Sequence, residues 1–317
     1  MTVRHLAVLA LCAIATPAFA ADLLRVASPQ RGSWEGAIPE LGKQQGMFAK
    51  HGLDLDILYT AGGGETLQAV ISGAVDIGLS AGTLGVMGAF AKNAPVRIIG
   101  ASSTGSRELF WYVPASSPLK SLRDAKEGTT IAYSTTGAST HIAVLRFIAD
   151  YGVKGNPVAT GDISATTTQA MSGQVDVGWS VAPFNLDPLA RGEIRLVARA
   201  SDLARIRGQT IRVQIANLAV LEQRSDAVAR YLAAYRETLD WMYAAPEAVA
   251  RYVAFSKLPE SAVRRMLAEF IPRESLQIDR IAGLADSMQD AIQFKFLTSP
   301  LSDEQIHELI RIREHQP

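Results

Sequence analysis

Ile71-Ser72-Gly73-Ala74-Val75-Asp76-Ile77-Gly78-Leu79-Ser80 recurs as Met171-Ser172-Gly173-Gln174-Val175-Asp176-Val177-Gly178-Trp179-Ser180, at an offset of 100 residues. That spacing is too long for a solenoid, whose repeats run about 20–50 residues. Each copy reads as a helix end, a Ser-Gly stop, a short apolar strand and a polar turn. Two lobes built on one α/β plan account for the pair.

Around the copies, strands and helices alternate. A strand is expected over residues 23–27 and a helix over 34–45, with Pro39 in its first turns. Leu53, Leu55 and Ile57 alternate with Asp54 and Asp56, a strand with one buried face. Gly62-Gly63-Gly64 makes a tight turn into a helix over 65–72, and strands follow at 97–102 and 109–113. The second lobe starts with a strand at 130–133 and a helix at 139–151, and strands at 194–198 and 211–216 close it. This order predicts largely parallel sheets with helices on both faces. After Asp226 the pattern is helix only. Tyr231, Tyr235, Leu239 and Met242 recur at helical spacing, as do Ile281, Leu284, Met288 and Ile292, while Pro246 and Pro259 sit where new helices begin. These stripes are the packing face of a helical tail.

Composition removes several functions. The 31 Lys and Arg balance 31 Asp and Glu, so there is no basic excess for nucleic acid. A hydrophobic share of 48% excludes a disordered chain, and 317 residues suffice for two domains with cores. At the start, Arg4 and His5 precede an apolar run over residues 6–15, and Ala18-Phe19-Ala20 has the form of a secretory cleavage site. A run of about ten residues is too short for the ~20 of a spanning helix, so the expectation is a leader cut before Ala21 and a periplasmic chain. The one cysteine, Cys12, leaves with that leader, which excludes disulfides and thiol catalysis.

The search for chemistry finds no catalytic constellation. His51, His141, His307 and His315 are not spaced as metal ligands, and neither a Gly-x-Ser-x-Gly elbow nor a phosphate-binding Gly-Lys-Ser/Thr loop occurs. Asp54 and Asp56 fall on an outer face, and Asp76 and Asp176 are read as braces for the turns before their strands. What the chain offers instead is polar, Gly-rich turns at the carboxyl ends of strands: 28–33, 61–64, 80–83 and 102–106 in the first lobe, 134–140 and 180–183 in the second. Open parallel sheets bind ligands at this edge. The turn Ser134-Thr135-Thr136-Gly137-Ala138-Ser139-Thr140 carries five hydroxyls and leads into a helix, where free N–H groups suit an anion's oxygens. Capping alone needs one.

The expected ligand-binding residues are Trp34, Gly64, Ser80, Thr83, Arg107, Ser134, Thr136, Gly137, Ala138, Ser139 and Trp179. Trp34 and Trp179, at the same edge of opposite lobes, would sandwich a flat or apolar body. Arg31 or Arg107 would add a charged partner, and Phe184 is read as core.

The leader, the duplicated Ser-Gly-x-Val-Asp motif and the hydroxyl-rich helix start together resemble the periplasmic substrate-binding proteins of ABC importers for nitrate, sulfonates and taurine, a group that also includes pyrimidine-precursor binders. Gly46-Met47-Phe48-Ala49-Lys50-His51-Gly52-Leu53 is similar to that family's Gly-x-Phe-x-x-x-Gly-Leu, and residues 67–78 to its Ala-Leu-x-x-Gly-x-Val-Asp element. Gly137-Ala138-Ser139-Thr140-His141 resembles its Gly-Ser-x-x-His turn, and residues 231–241 its C-terminal helix. The resemblance implies an α/β fold of two lobes joined by a two-strand hinge, with a helical C-terminal tail. It divides the chain into residues 21–112 plus 214–317 as lobe I with the tail, and residues 113–213 as lobe II. The crossings fall near residues 111–114 and 209–214. It further implies a receptor that delivers a small molecule to a membrane permease, but not which molecule; the residues named above point to a small organic anion, a carboxylate or sulfonate, and a monomer with neither cofactor nor metal is expected. The cysteine-rich motif of the pyrimidine synthases is absent. Rival readings are an enzyme of cofactor biosynthesis on the same fold, and a receptor serving a sensor or another transporter.

Overall fold

The computed structural model describes residues 21–312, so the expected leader lies outside the described residues. The chain opens with β1 (Asp22–Pro29), α1 (Ile38–Gln44), α2 (Met47–Lys50) and β2 (Leu53–Thr60). Next come α3 (Gly63–Ile71), β3 (Ile77–Gly82), α4 (Thr83–Phe90) and β4 (Val96–Thr104). The second half runs β5 (Leu109–Pro114), β6 (Thr129–Tyr133), α5 (Ser139–Tyr151), β7 (Gly155–Ala159), α6 (Ile163–Met171) and β8 (Gly178–Val181). It continues through α7 (Leu186–Ala190), β9 (Ile194–Arg199) and α8 (Ala204–Arg207) to β10 (Thr210–Asn217). The rest is helical: α9 (Leu218–Gln223), α10 (Ser225–Ala244), α11 (Ala248–Ser256), α12 (Glu260–Glu269), α13 (Leu284–Gln293) and α14 (Asp303–Leu309).

The first sheet has the order β2-β1-β3-β10-β4. β1 pairs in parallel with β2 and β3, whereas β10 runs antiparallel between β3 and β4. In the second half, β5 pairs antiparallel with β8 and β9, β6 pairs in parallel with β7, and an Ile131–Val177 bridge joins the two groups. Read across, the order is β7-β6-β8-β5-β9, which is the first sheet's order with β5 standing where β10 stands. Each sheet therefore takes its one reversed strand from the chain just arriving from the other. The expectation of largely parallel sheets holds for the rest and fails at these two strands.

The crossings also differ from expectation. Residues 111–114 lie inside β5, already paired in the second sheet, so the outward passage is the segment between Thr104 and Leu109. The return lies between Arg199 and Thr210, and Arg212 to Gln214 are already paired in the first sheet.

The sequence echo is an echo of bonds. Thr60 and Thr66 share a hydroxyl hydrogen bond of 2.7 Å, and Thr160 and Thr166 one of 2.6 Å. The Val75 N–H donates to the Ala69 carbonyl (3.2 Å) and that of Val175 to Gln169 (3.3 Å). Gly73 and Gly173 stop their helices at φ 75° and 76°, backbone that glycine enters without steric cost. Asp76 Oδ2 accepts the Arg25 N–H of β1, and Asp176 Oδ2 accepts the Thr130 N–H of β6, each at 2.8 Å. Both aspartates are thus braces that tie the turn before a strand to the neighbouring strand.

The tail closes the core. Tyr231 of α10 stacks on Phe48 with ring centroids 5.6 Å apart, and α13 packs on α4. From α13 the fully buried Asp290 reaches the second half of the chain. It accepts from Arg146 of α5 (3.2 Å) and Gln209 Nε2 (3.0 Å) and pairs with Arg205 of α8 (3.0 Å). A buried carboxylate is tolerated when its lone pairs are taken in this way.

The two braces differ in burial: Asp76 is 4% exposed, whereas Asp176 is open to solvent. Asp76→Ala is expected to cost about 1–3 kcal/mol, because it strands a backbone N–H, and Asp176→Ala under about 1 kcal/mol, because water replaces the carboxylate. Urea denaturation of the two variants tests this, and equal losses would contradict it.

Candidate functional site

A narrow cleft with about 50 Å³ of water-accessible space, partly open to solvent, lies where the carboxyl ends of the two sheets face each other. Two helices point their N-termini into it from opposite sides. α3 begins behind Gly62, and α5 begins behind Ala138; neither N-cap residue supplies a side-chain cap, though Thr135 Oγ1 takes the Gly64 N–H in the first turn of α3. Their free N–H groups carry the positive end of the helix dipole. Around the α5 end stand the hydroxyls of Ser134, Ser139 and Thr140, all buried. Ser134 and Thr140 bond each other at 2.8 Å, and Thr140 Oγ1 also accepts the Ser134 N–H (3.0 Å), which fixes the turn.

The cleft also carries buried charge. Glu35, Glu108 and Arg212 line the cleft and are all buried. Arg212 Nη2 pairs with Glu35 Oε2 at 3.1 Å and donates to Glu108 Oε1. Burial opposes the charge on Arg212, but the two carboxylates outweigh it and raise its pKa further. Ser80 adopts φ 54°, an uncommon backbone for a non-glycine residue, and its Oγ donates to Glu35 Oε1 at 2.6 Å. Arg212 comes from β10, Glu108 from the outward crossing, and Glu35 from the turn before α1, so one guanidinium joins three distant segments.

The turn before α5 is seated on glycines of the first lobe. The Gly64 N–H donates to Thr135 Oγ1 (3.0 Å), and the Ile163 N–H to Gln30 Oε1 (3.3 Å). A Cβ at Gly82 would lie 2.0 Å from the Gly137 carbonyl oxygen, and one at Gly64 would lie 2.2 Å from that of Thr136. No other residue type permits this approach. His141 holds the turn from behind: its Nδ1 accepts the Gly137 N–H (3.2 Å) and its ring stacks on Tyr133 at 4.3 Å. Burial pushes its pKa down to about 4, so the ring is neutral and able to accept.

Of the expected ligand residues, Trp34, Ser80, Ser134, Ala138, Ser139 and Trp179 line the cleft. Trp34 packs edge-on against Tyr243 and Tyr252, and Trp179 Nε1 donates to Thr160 Oγ1 (3.2 Å). The others do something else. Thr83 Oγ1 donates to the Thr210 carbonyl (2.6 Å) and anchors the start of β10. Gly64 and Gly137 serve the contact between the lobes, and Thr136 is exposed beside Tyr133. Arg107 is exposed in a separate hollow with Arg207 and Glu274, and Arg31 lies over the rings of Tyr59 and Phe255. Neither arginine reaches the cleft. Phe184, read as core, packs against the core and near Gly32.

Glu35, Glu108 and Arg212 were not among the expected residues. The available signal was Arg212, the one charge in the run 211–216, where every residue of the strand is buried.

Among the described residues, no three His, Cys, Asp or Glu side chains gather as a metal site requires, and no helix is long and apolar enough to cross a membrane. The chain belongs to the NMT1/THI5-like family, whose model matches residues 40–249. No curated protein matches it in sequence. Among solved structures it is similar to the alkanesulfonate-binding protein SsuA from Xanthomonas axonopodis pv. citri bound to MOPS, at 20% identity and TM-score 0.73, covering 87% of this chain and 92% of that one. It is similar to the periplasmic nitrate-binding protein NrtA from Synechocystis PCC 6803, at 14% identity and TM-score 0.68, covering 92% and 86%. The desulfurization enzyme DSZB shares the fold at 15% identity and TM-score 0.60, covering 90% and 95%. The chain has the two-lobed periplasmic binding protein fold.

Two outcomes follow from this geometry. Arg212→Met leaves two carboxylates buried without a counter-charge and is expected to cost about 3–5 kcal/mol in urea denaturation; a loss under about 1 kcal/mol would contradict the buried triad. For His141, the folded pKa lies below its ordinary 6.5, so the unfolded chain takes up the proton first. Its contribution is complete above about 6.5 and is lost as pH falls towards about 4. His141→Gln keeps an acceptor and should flatten the melting temperature's pH dependence over that window. An unchanged slope would remove the assignment.

Proposed function

We propose that the protein is an exported receptor that captures a small organic anion between its lobes and delivers it to the permease of an ABC importer. The observation that carries this reading is the convergence of the α3 and α5 N-termini on one cleft, the α5 end without a side-chain cap and ringed by Ser134, Ser139 and Thr140. Such ends bind carboxylate, sulfonate or phosphate oxygens without a formal positive charge. The cleft's charged wall argues for an organic anion over a bare inorganic ion. Glu35 and Glu108 repel a second negative charge placed beside them, so the anionic group belongs at the helix ends and an apolar body belongs between Trp34 and Trp179. Family membership, the sulfonate- and nitrate-binding neighbours and the leader-like residues 1–20 support export and transport.

The seat of Gly64 and Gly82 under residues 134–137 supports a closed state, reached by bending at the crossings 105–108 and 200–209. The reading treats the protein as a monomer that returns its ligand unchanged. The one favoured rival is catalysis, because a desulfurization enzyme shares the fold; product analysis after incubation separates the two.

Calorimetric titration with aliphatic and aromatic sulfonates and carboxylates, alongside nitrate, tests the proposal. At least one organic anion is expected to bind, to be recovered intact, and to reduce the radius of gyration in small-angle scattering. Gly82→Ala puts a methyl group against the Gly137 carbonyl and is expected to bind at least tenfold more weakly and to contract less. Binding of nitrate alone, or scattering unchanged at saturation, would overturn the reading.

A further inference from the structure

The charged wall holds two carboxylates against one guanidinium, and no other Lys, Arg or His side chain lines the cleft. Glu35 is fully engaged, one oxygen taking the Ser80 hydroxyl and the other facing Arg212. Glu108 is engaged on one side only. Its Oε1 takes Arg212, whereas its Oε2 is buried with no hydrogen-bond partner among the described residues. Glu108 is 2% exposed, and among the other lining residues Trp34 Nε1 and Arg212 Nε are also buried without a partner. A buried carboxylate oxygen without a donor is costly, and Arg212, shared between two carboxylates, balances only one of them.

We infer that the cleft holds a subsite for a protonated nitrogen, which donates an N–H to Glu108 Oε2 while the ligand's anionic group rests on the α3 and α5 ends. This rests on the receptor reading and narrows it: the ligand carries both a cationic nitrogen and an anionic group, and the protein discriminates against anions that lack the nitrogen. The triad then has two roles. Arg212 holds both carboxylates in place, and Glu108 is the specificity-determining residue, since its Oε2 is the carboxylate oxygen of the triad left without a donor. A simple sulfonate or carboxylate would bury that oxygen further and supply nothing to it, which is how a polar site rejects a ligand lacking the matching group.

The test is titration calorimetry with matched pairs that differ by an ammonium group: 4-methyl- against 4-(aminomethyl)benzenesulfonate, 4-methyl- against 4-(aminomethyl)benzoate, and propane-1-sulfonate against 3-aminopropane-1-sulfonate, with benzylamine as the nitrogen without the anion. In at least one pair the ammonium member is expected to bind at least tenfold more tightly than its twin. In Glu108→Gln, which keeps the side chain's shape and removes its charge, that ratio should shrink at least tenfold. Should the variant fail to fold, the wild-type ratios decide alone. Uncharged-end twins binding as tightly as the ammonium members would overturn the nitrogen subsite and leave the organic-anion receptor standing. Benzylamine binding while no anion does would support the subsite and overturn the anion reading. Silence across all seven compounds would overturn both.

Discussion

The Arg212 guanidinium, held between Glu35 and Glu108, is the contact on which the rest of the molecule turns. It sits at the start of the strand that returns to the first sheet, and Glu108 sits at the end of the segment that left it. Joining them fixes the two passages against each other, and Glu35 ties both to the turn before α1. A charge buried at 8% exposure is expensive unless its partners are exact in position, so the arrangement is more a device for specifying geometry than a source of net stability. With the passages pinned, the exchange of β5 and β10 follows, and with it the facing of the two sheet edges that makes a cleft.

Helix ends, hydroxyls and indole rings line that cleft together with the Glu35–Arg212–Glu108 triad, whose carboxylates outnumber its guanidinium. Charges and dipoles fixed in this way orient a ligand as well as holding it. The backbone-to-backbone contact between residues 134–137 and the first-lobe glycines brings the α3 and α5 ends close together, and charges at such a seam act more strongly than in open water.

Much of the fold was legible because its signals are local. The Ser-Gly stops, the alternating run 53–57 and the stripes of the tail each depend on neighbours in sequence, and the echo at 100 residues exposed the shared plan of the lobes. Asp76 and Asp176 were readable as braces for the same reason. The site was less so. Arg107 and Glu108 are adjacent, and only the direction of the chain at the crossing decides which faces the cleft; here it is the glutamate. Arg31 has a charge suited to an anion, yet the rings of Tyr59 and Phe255 hold it at the surface. Thr83 stands at a strand's carboxyl end, as a ligand contact would, but its hydroxyl finds the Thr210 carbonyl, 127 positions away. The apolar run of β5 looks the same whichever sheet it joins, so the passage was placed a few residues late.

The insertion of β10 between β3 and β4 also dictates an order of assembly. Until residue 217 has been made, β3 and β4 have no partner between them, and each carries a row of unpaired backbone groups. The second lobe, by contrast, is one continuous stretch from the first passage to the second. Its strands can pair while the first sheet still waits for β10, the strand that joins β3 to β4. Such long-range pairing is slow, and open strand edges are prone to joining other chains. A nascent chain of this design gains little from early folding of its N-terminal half. It is suited to being kept extended until synthesis is complete, the condition a chain meets when it is threaded through a membrane before it folds.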